Sequence, residues 1–219
     1  FQTDMSCIEN LLFVPSGMAG IGYAGVINCL DDNDALDNVK NSVGVSSGAF
    51  TAWIFALGYR GEKLEKMLRE KDFKDFASTS ASSIFSSPRK FFSNSLGNEG
   101  VFNGQELRRW VQVMTAQRLG NPDLTFSQLH TYISNAHQLD DQGNEAPDLN
   151  FFIERAKEAR KYRDEMAKEL KLDTLDFDFD GGRTDEERGK ALMEIASNLK
   201  NFVSVAAEVV DKKEIKDLS

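Results

Sequence analysis

The chain has 219 residues, of which 41% are hydrophobic and 28% charged, and its formal net charge is −9. The composition is that of a folded globular protein, and the length suits one α/β domain. No apolar run approaches the ~20 residues that a membrane-spanning helix needs. The negative charge argues against nucleic acid as a partner. Cys7 and Cys29 are too few for a disulfide framework, and no metal-ligand spacing is present, so we expect no cofactor.

The N-terminal part alternates short apolar stretches with helical ones. An apolar run over residues 8–14 predicts a buried strand, and a glycine-rich loop leads into a helix expected from about 21 to 30. The glycines there either permit close packing of the helix on the sheet or present backbone N–H groups to an anion. A second strand near 39–45 precedes a helix over 47–57, and a further helix covers 62–71.

The residues Gly44-Val45-Ser46-Ser47-Gly48 read G-x-S-x-G between the second strand and its helix. In that context Ser46 would be held out of the sheet with its hydroxyl exposed, and the two glycines would let neighbouring elements approach closely. The first N–H groups of the following helix would face an oxyanion formed at the serine. The pattern predicts a nucleophile, with an ordinary glycine-bracketed turn as the alternative.

The middle of the chain contains a loop-like region and an amphipathic helix. Residues 78–95 interleave serines, phenylalanines and basic residues, which is typical either of a lid that touches membranes or of a loop packed on the core. Leu107, Trp110, Val111 and Met114 recur at helical spacing and predict a helix that faces the core.

The C-terminal third is rich in charge. Apolar residues at helical spacing from Phe152 to Leu170 predict one long charged helix. Its apolar face either packs on the core or binds a partner protein. Residues 175–180 alternate apolar and acidic side chains, the pattern of a half-buried strand. Thr184 to Glu187 forms a capping-box pattern, and we expect the helix that it begins to continue through Val203.

A serine nucleophile needs a group that accepts its proton. His130 and His137 lie in a polar stretch and are predicted to be surface residues. Asp180 ends the predicted strand before Gly181 and Gly182, where an aspartate can point into a cleft. Asp176 and Asp178 share its face of the predicted strand and are weaker substitutes.

The elbow, the upstream glycine loop and the Asp-Gly-Gly together resemble the patatin-like phospholipase family, including its bacterial lipid acyl hydrolases. The resemblance is closest over residues 11–57 and weaker at 100–107 and 124–129. It implies an α/β three-layer sandwich with a mainly parallel central sheet and helices on both sides, here followed by a helical C-terminal part. The alternation of short strands with helices favours the same fold class.

The resemblance also implies the roles of particular residues. Ser46 and Asp180 would form a catalytic dyad without histidine, and the N–H groups of Gly17, Met18 and Ser47 would form the oxyanion hole. The remaining motif glycines are Gly44, Gly48, Gly20, Gly181 and Gly182.

The glycine loop departs from the family pattern. Family members usually have Gly-Gly-Gly-x-Lys/Arg-Gly where this chain has Pro15-Ser16-Gly17-Met18-Ala19-Gly20, so two glycines and a basic residue are absent. A catalytically weak or inactive module that binds a membrane or protein partner is therefore one alternative. A Ser-His-Asp esterase that uses His130 or His137 is another.

We expect residues 1–150 to form the core with the elbow and residues 151–219 to form a helical segment of the same domain. The expected activity is hydrolysis of phospholipid esters at a membrane surface by a peripheral protein. Some bacterial toxins of the family need a host protein activator such as ubiquitin, with which the charged helices are compatible. The start at Phe1 suggests a soluble fragment of a longer protein. The resemblance is compatible with a secreted bacterial effector that acts at membranes, and the sequence leaves the localisation open.

Overall fold

The computed structural model describes residues 8–15, 22–45, 48–70, 104–181 and 184–205. In chain order the elements are β1 (Asn10–Phe13), α1 (Gly22–Asp31), β2 (Asn41–Val45), α2 (Gly48–Ala56), α3 (Gly61–Glu70), α4 (Gly104–Leu119), α5 (Phe126–Ala136), α6 (Leu149–Lys161), α7 (Arg163–Glu169), α8 (Asp185–Ser197) and β3 (Asn201–Val205). The strands and helices predicted before residue 71 are confirmed to within two residues at each end. The loop predicted over 78–95 lies outside the described residues.

The three strands form one parallel sheet in the order β1-β2-β3. Parallel neighbours need a crossover connection, and helices occupy the sequence between each pair of strands. Because the strands run in one direction, their last residues Phe13, Val45 and Val205 lie at the same edge of the sheet. The predicted α/β class and parallel sheet flanked by helices are confirmed.

Helix α2 is the buried centre of the molecule. Every residue from Thr51 to Ala56 is buried, as expected for a helix that is apolar on all sides. Its Ala52 carbonyl accepts a hydrogen bond of 2.8 Å from the Ser42 hydroxyl of β2. Its aromatic residues contact the two outer strands, with ring centroids 5.6 Å apart for Phe13–Phe55 and 5.0 Å apart for Trp53–Phe202.

The other face of the sheet is more open to solvent. Leu12 and Val203 share a row across the strands and are 60% and 49% exposed. An asparagine ladder crosses the same face, because Asn41 donates to Asn10 at 2.7 Å and Asn201 donates to Asn41 at 3.2 Å. The main core therefore lies on the α2 face.

Two arginines hold the C-terminal end of α2. Arg60 donates to the carbonyls of Phe55 and Tyr59 at 2.8 and 2.7 Å. Arg118 of α4 donates to the carbonyls of Leu57 and Gly58 at 2.9 and 3.1 Å. These cations satisfy carbonyls that lack helical partners and complement the negative end of the helix dipole. Burial lowers the pKa of the Arg60 guanidinium to about 10, so it stays protonated at neutral pH.

The strand predicted over residues 175–180 is wrong. The segment is irregular and ends in a turn at 178–181. The apolar side chains of the alternating pattern are nevertheless buried, since Leu175 and Phe179 are only 2% and 0% exposed. The Asp178 N–H donates to the Gln117 carbonyl of α4 at 2.8 Å, so the backbone is anchored to a helix end and not to a neighbouring strand.

Two helix boundaries also differ from the prediction. The long charged helix is divided at Tyr162 into α6 and α7. The capping box at Thr184 is present, but α8 ends at Ser197 and Val203 belongs to β3. The reason is tertiary, because pairing with β2 satisfies the backbone from Asn201 onward. The division of the chain at residue 150 stays a prediction, although β3 completes the same sheet as β1 and β2.

We predict that Arg118→Met lowers the free energy of unfolding by about 2–4 kcal/mol, because it leaves two helix-end carbonyls without their donor and the Asp178 carboxylate with Lys63 alone. Urea unfolding followed by circular dichroism measures this change. Arg108→Met on the same helix is the matched control. Its ion pair with Asp123 is exposed, so its change should stay within about 0.5 kcal/mol. Equal stability of the two variants would contradict the role of Arg118.

Candidate active site

The G-x-S-x-G pattern lies at the edge of the sheet where the strands end. Strand β2 ends at Val45 and helix α2 begins at Gly48. Ser46 and Ser47, which connect them in the sequence, lie outside the described residues. The described flanks have the order of strand and then helix that gives this pattern its meaning.

Both glycines of the pattern occupy positions that exclude a side chain. A Cβ atom on Gly44 would lie 2.4 Å from the Cα of Ala49 and 2.7 Å from the Cβ of Ala52. A Cβ atom on Gly48 would lie 2.2 Å from the Phe13 carbonyl oxygen and 2.8 Å from that of Val14. The obstructing atoms are mostly backbone, which cannot rotate away. Glycine at these two positions therefore lets α2 start directly against the ends of β1 and β2.

The N-terminal end of α2 lies at this edge. The first N–H groups of any α-helix lack intrahelical acceptors and carry partial positive charge. Here that end of the helix begins two residues after Ser46 in the sequence. An oxyanion formed at Ser46 would meet this positive end.

The residues of the upstream loop can be placed only in part. Gly17, Met18 and Gly20 lie outside the described residues. Gly22 and Gly25 are in α1, where an added Cβ would meet nothing within 4 Å. For these two glycines, close packing of the helix on the sheet is therefore the wrong explanation.

Both histidines are on the surface, as predicted. His130 and His137 are exposed, and the His137 ring nitrogen Nε2 lies 3.2 Å from the Ser197 carbonyl oxygen. Neither position gives support to a Ser-His-Asp arrangement.

Asp180 lies in a cluster of arginines. Its carboxylate accepts from Arg188 Nε at 2.7 Å and from Arg163 Nη1 at 3.2 Å, and Arg160 Nε lies 3.5 Å away. These three arginines come from α8, α7 and α6, so the carboxylate joins three helices. Sequence reasoning missed this cluster, because nothing in the local pattern says which arginines face the aspartate.

The neighbouring Asp178 lies at the far end of α2. It pairs with Lys63 and, at 3.2 Å, with Arg118 Nη1, and Arg118 also holds the C-terminal carbonyls of α2. That end is about 13 Å from the start of the nine-residue helix, where the elbow begins. The setting of Asp178, Asp180 and the exposed Gly181 favours a structural role, and Gly182 lies outside the described residues. The Ser46–Asp180 dyad stays a prediction.

Within the described part of the chain, no group of three or more His, Cys, Asp or Glu residues is placed to hold a metal ion. None of the described helices is both long enough and apolar enough to cross a bilayer.

Comparison with known proteins agrees with the resemblance seen in the sequence. The Patatin family, described as "Patatin-like phospholipase", matches residues 16–197, which include the glycine loop, the elbow and Asp180. "Uncharacterized protein R571" of Acanthamoeba polyphaga mimivirus is 26% identical over 125 residues, covering 57% of this chain and only 39% of the viral protein. No solved structure matches. The family match spans most of the chain, which therefore belongs to the patatin-like phospholipase family.

Proposed function

We propose that this chain is a lipid acyl hydrolase of phospholipase A type, with Ser46 as its nucleophile. The observation that carries the proposal is the packing of α2 against the strand ends at Gly44 and Gly48. It sets the positive end of a buried helix at the sheet edge where β2 ends, and the family motif assigns the nucleophile to the residue that follows this strand in the sequence. The family implies lipid ester substrates, and we propose that they are phospholipids at a membrane surface. A protein activator stays a prediction.

The proposed reaction has two steps. The Ser46 hydroxyl attacks the ester carbonyl carbon and gives its proton to a base, and the carbonyl oxygen takes the negative charge. The N–H groups of Gly17, Met18 and Ser47 would stabilise that oxyanion. The tetrahedral intermediate then expels the alcohol, which takes the proton from the base and leaves an acyl-Ser46. Water attacks this ester in the same way and releases the fatty acid.

The identity of the base is the less supported part of the proposal. Asp180 stands in the family's Asp-Gly-Gly motif, which is the argument for it. Against it, its carboxylate is engaged by Arg188 and Arg163, and the neighbouring Asp178 lies toward the end of α2 opposite the elbow. We therefore separate the role of Ser46 from that of Asp180 in the tests.

We predict that Ser46→Ala lowers the hydrolysis rate at least about 10³-fold, because on this proposal the Ser46 hydroxyl forms the acyl intermediate. The measurements are release of p-nitrophenol from p-nitrophenyl butyrate and of fatty acid from phosphatidylcholine vesicles. Labelling by a fluorophosphonate probe should be lost as well. Ser134→Ala, which changes an exposed serine of α5, is the control and should keep both hydrolysis and probe labelling. Undiminished hydrolysis in Ser46→Ala would overturn the proposed nucleophile.

We predict that Asp180→Asn lowers the free energy of unfolding by about 1–3 kcal/mol, because the three arginines lose the carboxylate that they share, although Arg160 and Arg188 keep Asp185. Thermal or urea unfolding measures this, with the exposed Asp176→Asn as the control. The same samples test the dyad through kcat per fluorophosphonate-labelled serine. A fall of about 10³-fold or more in Asp180→Asn alone would assign Asp180 as the base, and a value near that of the wild type would place the base elsewhere.

The second candidate function is a binding module without useful activity, which the glycine loop favours. Pro15 cannot donate an N–H group, and Ala19 stands where the family has a basic residue.

On the hydrolase proposal this loop is already adapted to catalysis. We therefore predict that restoring the family residues with Pro15→Gly, Ser16→Gly and Ala19→Lys gives no more than about a threefold gain in kcat/KM, the scale of one or two weak contacts. A gain of about 10²-fold or more, the cost of one lost oxyanion stabiliser, would instead indicate decayed activity.

A further inference from the structure

Tyr23, in the first turn of α1, makes a contact with the end of β1. Its hydroxyl donates a hydrogen bond of 3.1 Å to the carbonyl oxygen of Val14, the residue that follows the strand. Tyr23 and Val14 are nine positions apart, and the glycine loop lies between them in the sequence. The bond therefore ties together the two described flanks of that loop.

The same carbonyl oxygen lies against the start of α2. It is 2.8 Å from the position that a Cβ on Gly48 would take, and the Phe13 carbonyl oxygen is 2.2 Å from it. The Tyr23 ring contacts the Phe13 ring edge-on, with centroids 5.3 Å apart, and Phe13 in turn contacts Phe55 of α2. Ring and hydroxyl of Tyr23 thus act on the two residues that abut the first turn of α2.

We propose that Tyr23 is a positioning residue for the elbow. Its hydroxyl fixes the Val14 carbonyl, and through it the distance between the end of β1 and Gly48, two residues after Ser46. Tyr23 contacts no reacting atom. Its effect on catalysis arises because displacements near 1 Å in a nucleophile's surroundings change rates strongly. This role rests on the proposed function of Ser46.

The substitution Tyr23→Phe removes the hydroxyl and keeps the ring on Phe13. We expect kcat per fluorophosphonate-labelled serine to fall about three- to tenfold, the range that one hydrogen bond supports, with KM changed less than about twofold. Tyr132→Phe is the matched control, because the Tyr132 hydroxyl also donates to a backbone carbonyl, that of Leu119 in α4, at 3.3 Å. It should leave kcat unchanged.

A second measurement does not depend on activity. Amide hydrogen exchange at Ala52 and Trp53, whose N–H groups donate to the first carbonyls of α2, should be about three- to tenfold faster in Tyr23→Phe and unchanged in Tyr132→Phe. This readout applies even where Tyr23→Phe is only partly folded at the assay temperature, since exchange is compared with that of the C-terminal turn of α2.

The possible outcomes are distinct. Wild-type kcat per labelled serine in Tyr23→Phe overturns the positioning role, even when thermal stability falls, since only a structural contact was then lost. An equal fall in Tyr132→Phe overturns it too. Absence of Ser46-dependent hydrolysis and labelling in the wild-type chain overturns the proposed function and, with it, this role. A fall in kcat confined to Tyr23→Phe, with faster amide exchange at Ala52 and Trp53, supports it.

Discussion

The close approach of α2 to the ends of two strands is the constraint on which the rest of the structure depends. The helix can start where it does only because Gly44 and Gly48 have no side chain, and the space that one would fill contains backbone of the neighbouring elements. Once α2 is fixed at that position, its apolar surface contacts all three strands through Ser42, Phe13 and Phe202. The elbow and the core therefore both require the same close packing of α2 against the strands.

The two ends of α2 have opposite chemistry. At its start the helix presents N–H groups that lack acceptors within the helix to the edge of the sheet where β2 ends. At its end Arg60 and Arg118 neutralise the carbonyls, and Arg118 continues into the ion pair with Asp178. Lys63 of α3, which also pairs with Asp178, thus lies toward the end of α2 away from the elbow. Arg160, Arg163 and Arg188 join three helices around Asp180.

The sequence predicts those parts of this molecule whose causes are local. The need for glycine at Gly44 and Gly48 follows from a strand that turns directly into a helix, and such a turn is visible in a single short pattern. Failures occur where a distant partner decides. Residues 175–180 bury alternate side chains as a strand would, yet their backbone partner is the end of a helix. Residues 201–205 continue a helical spacing of apolar side chains, but β2 recruits them into the sheet. The arginines around Asp180 are likewise brought together only by the packing of three helices.

The open space around the glycines of α1 has a consequence for how the edge of the sheet fluctuates. Gly22 and Gly25 relieve no steric conflict, and Gly25 lies inside the helix, where glycine costs about 1 kcal/mol relative to alanine. The short helix α1 is thus intrinsically weak, whereas α2 is apolar throughout and enclosed. Local unfolding that begins at the first turn of α1 should need much less free energy than disruption of α2. Opening of that turn would release the hydrogen bond between the Tyr23 hydroxyl and the Val14 carbonyl while α2 stays packed against the strand ends.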